Sequence, residues 1–160
     1  MKTHKVSSTI NSIGRTASRN FISGEIVHQM NGTIITENEA EDLFVRREVD
    51  GDDFLNYDDT HFLLLDEDSR QFNHSCSPNV GLNDDLQLFA LTDIKKGEEI
   101  AYDYSTTVGI DYDEWFMDTE CNCQSTNCRK IIGCISTLSE ETIISYKTKG
   151  AIRKYISDQL

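Results

Sequence analysis

The sequence predicts a mostly β fold with short helices. Three observations support this class. Short apolar and β-branched runs alternate with glycine and polar turns, one amphipathic stretch lies in the first half, and a cysteine cluster lies near the C-terminus. A chain of 160 residues fits one compact domain, with little left over for a second.

The first half contains predicted strands and one helix. Strands are predicted at Glu25–Met30 and Thr33–Ile35 because both carry apolar, β-branched residues between glycines. A helix is predicted over Thr36–Val49, because Thr36 and Glu39 form a capping-box pattern at its start. One face of this helix carries Ala40, Leu43, Phe44 and, at its edge, Val45.

The remaining predicted elements alternate between strands and turns before a helical end. In order they are an acidic loop at 50–59, a buried strand at His61–Leu65, a strand at Leu86–Leu91, a turn and short strand within Asp93–Tyr104, a brief helix at 111–117, and a helix from the cap Ser139 to Lys149. Gly150 ends that helix, and a short amphipathic segment closes the chain.

The charge is strongly acidic. Twenty-eight acidic and fifteen basic residues give a net charge of −13, which argues against direct nucleic-acid binding and favours a basic partner. The alternative is that the acidity only keeps the chain soluble. The longest aliphatic run is Leu63–Leu65, and the N-terminus has no apolar signal region. We therefore expect a soluble, intracellular monomer without membrane contact, in a nucleus, a cytoplasm or a host cell.

The cysteines indicate metal binding. Cys121, Cys123 and Cys128 follow a C-x-C-x4-C pattern, which provides three of the four ligands of a tetrahedral zinc site. The spacing leaves the fourth ligand open between Cys134 and Cys76. A redox Cys-x-Cys pair and free buried thiols are the alternatives.

The stretch RQFNHSCSPNV is either a polar turn that holds a thiol or the centre of a site. A nucleophilic pair of His74 and Cys76 would need a third orienting group, and none is apparent in the sequence. Asn73 is expected to satisfy backbone groups in a turn. Further on, Tyr102 and Tyr104 are expected to share one face of a strand, where they either pack or line a channel for a long side chain.

Three motifs in this order carry a family resemblance: RQFNHSCSPNV, GEEIAYDY and CNCQSTNC. They resemble the SET-domain protein lysine methyltransferases that end in a cysteine-rich post-SET segment. Upstream, SIGRTASRNFISGEIV is similar to the family's glycine-containing cofactor loop. The resemblance covers roughly residues 10 to 133.

The resemblance implies a SET-domain fold of β-clip-like small sheets with a knot-like threading. It divides the chain into a SET catalytic domain at 1–110, a zinc-bound post-SET segment at 111–134 and a short helical tail at 135–160, without a pre-SET region. It also implies binding of S-adenosylmethionine and of a basic, lysine-bearing peptide such as a histone tail.

The resemblance also implies the roles of individual residues. Tyr104 corresponds to the catalytic tyrosine, and Tyr102 to the position that limits the number of methyl groups added. The implied cofactor-binding residues are Ile13, Gly14, Arg15, Asn73, His74 and Tyr104. The implied Zn²⁺ ligands are Cys76, Cys121, Cys123 and Cys128, which leaves Cys134 spare.

Several positions depart from the family pattern. Ser12 stands in place of a glycine, Arg15 and Thr16 in place of Leu-Phe, Gln71 in place of an aromatic residue, and Lys130 in place of a glycine. The altered cofactor loop leaves an alternative open, in which the chain is a non-catalytic, zinc-stabilised interaction module of SET-like shape.

Overall fold

The computed structural model describes residues 2–110 and 119–160, and these form small β-sheets with short helices, as predicted. The strands are β1 (Thr3–Ser7), β2 (Ile13–Ala17), β3 (Ile26–Gln29), β4 (Gly32–Thr36), β5 (Phe54–Asn56), β6 (His61–Leu65), β7 (Asn73–His74), β8 (Val80–Leu82), β9 (Gln87–Ala90), β10 (Glu99–Tyr102), β11 (Thr119–Glu120) and β12 (Ile131–Ile132). The helices are α1 (Glu37–Val45), α2 (Glu140–Lys149) and α3 (Lys154–Ser157). The brief helix predicted at 111–117 lies outside the described residues.

One sheet brings the sequence motifs together. Its strand order is β1-β2-β10-β7, in which β1 and β10 are each antiparallel to β2. The last pair, β10 and β7, is parallel and sets Ala101 opposite Asn73 and Tyr102 opposite His74. The Asn-His stretch therefore lies directly beside the tyrosine strand. The knot-like threading and the division of the chain at residues 110 and 134 stay predictions.

The sheet β4-β6-β5 and helix α1 are formed by the part of the chain between β3 and β7. The predicted capping box at Thr36 is confirmed. The helix ends at Val45, four residues before its predicted end, because Arg47 adopts a left-handed φ of 58° that breaks the helical ladder. The loop predicted at 50–59 instead contains β5, whose Phe54 and Leu55 are buried.

The main core lies between the sheets and includes Phe21, Val27, Phe72, Leu88 and Ile100. A second core fastens the C-terminal segment to β9: it contains Ile135, Leu138, Tyr146, Ala151, Ile152 and Ile156, packed against Phe89 and Leu91. The predicted helix caps are confirmed here. Ser139 caps α2, and Gly150 ends it with a left-handed φ of 68°. In the described part of the chain, every helix is too short or too polar to cross a bilayer.

Candidate functional site

Tyr102 and Tyr104 pack together as the sequence predicts, although Tyr104 lies just beyond the strand. β10 ends at Tyr102, and Tyr104 begins a 3-10 turn, Tyr104–Thr107. Their ring centroids are 4.8 Å apart, and the Tyr104 and His74 rings form an edge-to-face contact with centroids 5.4 Å apart. Tyr104 donates its hydroxyl proton to the backbone carbonyl of Phe72 at 2.8 Å. The end of β10 and the turn that follows it thus place the two phenol rings side by side.

Asn73 joins β7 to β2. Its side-chain amide donates to the carbonyl of Ile13 at 2.9 Å and to Glu99 Oε1 at 2.8 Å. The expected role for Asn73, satisfying backbone groups, is therefore met on β2 rather than in its own turn. A Cβ at Gly14 would lie 2.4 Å from Glu99 Oε1 and 2.9 Å from Asn73 Nδ2, so this close approach requires a glycine.

His74 is buried between Tyr104 and Cys76. Burial lowers the pKa of His74 to about 4, although the charge of Asp103 opposes the shift, so the ring is neutral at pH 7. The Tyr104 backbone N–H donates to His74 Nδ1 at 3.2 Å, which leaves the proton on Nε2. That nitrogen lies 3.3 Å from Cys76 Sγ and donates to it.

A cavity of about 370 Å³ opens beside the two tyrosines. Its lining includes Tyr102, Tyr104, Asn73, His74, Ile10, Asn11, Asp50, Gly51, Phe54, Thr107, Val108, Thr119, Glu120, Asn122, Ile132 and Gly133. Asp50, Phe54 and Glu120 come from segments that carry no recognisable motif, so the sequence alone gave no signal for them.

The structure separates the three residues predicted in the cofactor loop from this lining. Ile10 and Asn11 line the cavity, whereas Ile13 and Gly14 contact the site through Asn73. Because side chains alternate along a strand, the Arg15 side chain lies on the face of β2 opposite to that of Gly14. It is buried, forms an ion pair with Asp68 and lines a separate cleft.

The four predicted metal ligands converge. The sulfur atoms of Cys76, Cys121, Cys123 and Cys128 all lie within 4.8 Å of one another. Cys76 Sγ and Cys121 Sγ are 3.7 Å apart, and tetrahedral zinc with Zn–S bonds of about 2.3 Å places its sulfurs roughly 3.8 Å apart. All five cysteines of the chain are free thiols, and Cys134 lies outside this group, beside Ser136.

The surroundings of the sulfurs suit thiolate ligands. Backbone N–H groups of Cys76 and Arg129 donate to Cys123 Sγ and Cys76 Sγ at 3.5 and 3.4 Å. Burial opposes ionisation of Cys123, but hydrogen bonds from Ser125 and from the Cys76 backbone lower its pKa to about 6, whereas burial raises the pKa values of the Cys76 and Cys121 thiols. The donor set, the spacing and the hydrogen bonds therefore fit a zinc ion.

Asp103 is a buried carboxylate that the sequence analysis missed. Its two oxygens accept from the guanidinium of Arg129 at 2.7 and 2.8 Å and from the hydroxyl of Tyr146 at 3.1 Å. Its Oδ1 also accepts from the backbone N–H of Ser105, which caps the 3-10 turn of Tyr104. A buried carboxylate without such partners would be strongly unfavourable.

The small sheets, the parallel Asn-His strand and the four-cysteine group define a SET-type β domain. The SET domain family pattern matches residues 13–105, more than half of the chain. The chain belongs to the SET-domain family.

Known proteins agree with this membership. The chain is 26% identical over 133 residues to "Histone-lysine N-methyltransferase ASHH3" of Arabidopsis thaliana, covering 75% of this chain and 35% of that protein. It is 31% identical over 140 residues to "Histone-lysine N-methyltransferase SUV39H1-A" of Danio rerio, covering 63% of this chain and 33% of that protein. The chain thus spans about a third of the length of these relatives.

The fold is also similar to a solved structure, the methyltransferase domain of human "Histone-lysine N-methyltransferase SETMAR". The TM-score is 0.67 at 19% identity, covering 82% of this chain and 58% of that one. This similarity confirms the predicted SET-domain fold.

Proposed function

We propose that this chain is a protein-lysine N-methyltransferase that uses S-adenosylmethionine. The observation that carries the proposal is the cavity beside Tyr102 and Tyr104, closed on one side by Asn73 and His74. Membership of the SET-domain family and the names of the relatives support it.

The residues present suit the cofactor. The cavity volume of about 370 Å³ lies in the range of small-molecule sites. We propose that Asn73, His74 and Tyr104 hold S-adenosylmethionine. The strand that contains Ile13, Gly14 and Arg15 would position Asn73. When bound, S-adenosylmethionine would supply a sulfonium-bound methyl group for transfer to a neutral lysine amine.

The two tyrosines prepare the lysine. A lysine side chain has a pKa of ~10.4, so presenting its neutral amine at pH 7 costs roughly 4–5 kcal/mol. The packed rings of Tyr102 and Tyr104 exclude water and favour the uncharged amine. The Tyr104 oxygen, which donates its proton to Phe72, keeps lone pairs that orient the amine.

The substrate class follows from charge. We propose that the substrate is a basic, lysine-bearing protein segment such as a histone tail, which a chain of net charge −13 would attract. Asp50 and Glu120 lie at the cavity itself, where they attract cationic residues next to the target lysine. We further propose that the protein acts as a monomer inside the cell, in the nucleus when histones are the substrate.

Cys76, Cys121, Cys123 and Cys128 are the proposed ligands of one structural zinc ion. With four thiolates the coordination is complete and no position is open for a substrate, so the metal would stabilise rather than react. It would fix Cys76, and with it the Asn-His strand, against the C-terminal segment.

Two assays test the proposal. Tritiated-methyl transfer onto core histones and onto a lysine peptide array should give labelled product, and calorimetric titration should detect binding of S-adenosylmethionine. Absence of both transfer and binding would favour the non-catalytic interaction module instead. A purified protein without bound metal would favour a redox role for the thiols.

A further inference from the structure

The cysteine group and the helix beyond it both reach the turn that carries Tyr104. Arg129 follows the proposed ligand Cys128 directly, and its guanidinium grips both oxygens of Asp103. Tyr146 lies in the middle of α2 and donates to Asp103 Oδ2. Two segments that are distant from Asp103 in sequence therefore both contact its carboxylate.

Asp103 transmits these contacts to Tyr104 through the backbone. Its Oδ1 accepts from the N–H of Ser105 at 3.1 Å, and its carbonyl accepts from the N–H of Thr106 at 3.0 Å and from the Thr106 hydroxyl at 2.8 Å. These bonds close the turn in which Tyr104 is the first residue. A rotation of the Asp103 side chain would break the Ser105 contact, which caps this turn.

The carboxylate at the centre of this network is buried. Only 1% of the Asp103 side chain is exposed, so water cannot replace a lost partner. Burial, together with the charge of Asp103, raises the pKa of the Tyr146 phenol, which therefore remains a proton donor at neutral pH. Placement of a reacting group within a fraction of an ångström strongly affects the rate of transfer.

We propose that Tyr146 and Arg129 are positioning residues that hold Asp103 and thereby fix the turn that carries Tyr104. On this basis the C-terminal segment that contains Arg129 and α2 helps to position the active-site turn. The expected fall in kcat rests on the proposed function, whereas the expected change at Tyr104 does not.

The test compares Tyr146→Phe with Tyr155→Phe. Tyr155 belongs to the same C-terminal core, and its hydroxyl pairs with Gln159 rather than with Asp103. Both variants lose one hydroxyl and keep the ring. Tyr146→Phe should lower kcat about three- to tenfold, whereas Tyr155→Phe should leave kcat at the wild-type value.

A second measurement does not need activity. In proteins with ¹³C-labelled tyrosine rings, the Tyr104 resonance is assigned from its loss in Tyr104→Phe. Tyr146→Phe should shift or broaden this resonance, and Tyr155→Phe should leave it in place. Arg129→Lys keeps the charge but loses the two-point contact with Asp103, so it should also shift the Tyr104 resonance and lower kcat. If both residues act through Asp103, the double variant should lose less kcat than the product of the two single losses.

The outcomes separate the two proposals. If the wild-type protein transfers no methyl group, the proposed function fails and the tyrosine spectra alone decide the positioning role. A Tyr104 resonance and a kcat that respond equally to Tyr146→Phe and Tyr155→Phe would overturn the inference. An equal fall in melting temperature for both variants, with a Tyr104 shift only in Tyr146→Phe, would support it.

Discussion

Tyr104 donates its hydroxyl proton to the backbone carbonyl of Phe72 across 2.8 Å, from a turn to the residue just before β7. The Tyr104 backbone N–H also bonds to His74 within that strand. Both ends of the tyrosine are thus tied to the segment that holds Asn73. The phenol oxygen has a fixed position beside the cavity, as a group that orients a reactant must have.

Tyr104→Phe should reduce methyl transfer about 100-fold or more, because the reactants lose the oxygen that aligns them. The fold should persist, since the change removes one hydrogen bond worth about 1 kcal/mol net. Mass spectrometry of a methylated peptide measures the first effect, and thermal melting measures the second. Tyr155→Phe serves as the control for loss of a phenol elsewhere. Full activity of Tyr104→Phe would remove Tyr104 from the mechanism.

Tyr102→Phe should raise the number of methyl groups added per lysine. The Tyr102 side chain is buried, lines the cavity and has its ring 4.8 Å from that of Tyr104. On the proposed function, its hydroxyl would take up room that a methylated amine needs. Removing that oxygen enlarges the space without changing the ring packing. The ratio of mono-, di- and trimethylated product, read by mass spectrometry at matched turnover, checks this, and an unchanged ratio would refute it.

The sequence predicted those parts of the site that motifs encode, and missed those that tertiary packing assembles. The tyrosine pair follows from a local pattern. Spacing left the fourth cysteine open between Cys134 and Cys76, and the convergence of Cys76 with the later three was implied by the family resemblance. The orientation of Arg15 depends on which face of β2 is turned inward, and a strand with two buried faces gives no alternation to read. The role of Asp103 depends on its contacts with Arg129 and Tyr146, and no spacing rule predicts that these residues lie beside it.

Strand β5 shows the same limit in the fold. Acidic residues surround its three positions, so composition favoured a loop, yet Phe54 and Leu55 are buried against β6. Pairing with a neighbouring strand outweighed the local preference.

Gly14→Ala should weaken binding of S-adenosylmethionine and lower the melting temperature. The added Cβ would meet Glu99 Oε1 at 2.4 Å and Asn73 Nδ2 at 2.9 Å, so the Asn73 side chain would have to move. Gly97→Ala is the matched control, because its positive φ of 89° adds backbone strain while the space around it is open. Calorimetric titration and thermal melting measure both effects. Affinity that falls equally in the two variants would contradict a local effect at Asn73.

Cys128→Ala should abolish stable zinc binding, whereas Cys134→Ala should retain about one zinc per chain. Cys128 belongs to the group of four sulfurs within 4.8 Å of one another, and Cys134 is buried beside Ser136 outside it. Loss of the metal should also loosen Cys76 and the neighbouring His74, so methyl transfer should fall with the zinc content. Elemental analysis of the purified variants measures the metal, and a chelator titration of the wild-type protein should reproduce the loss of activity. Zinc retained in Cys128→Ala, or lost in Cys134→Ala, would show that a different set of sulfurs holds the ion.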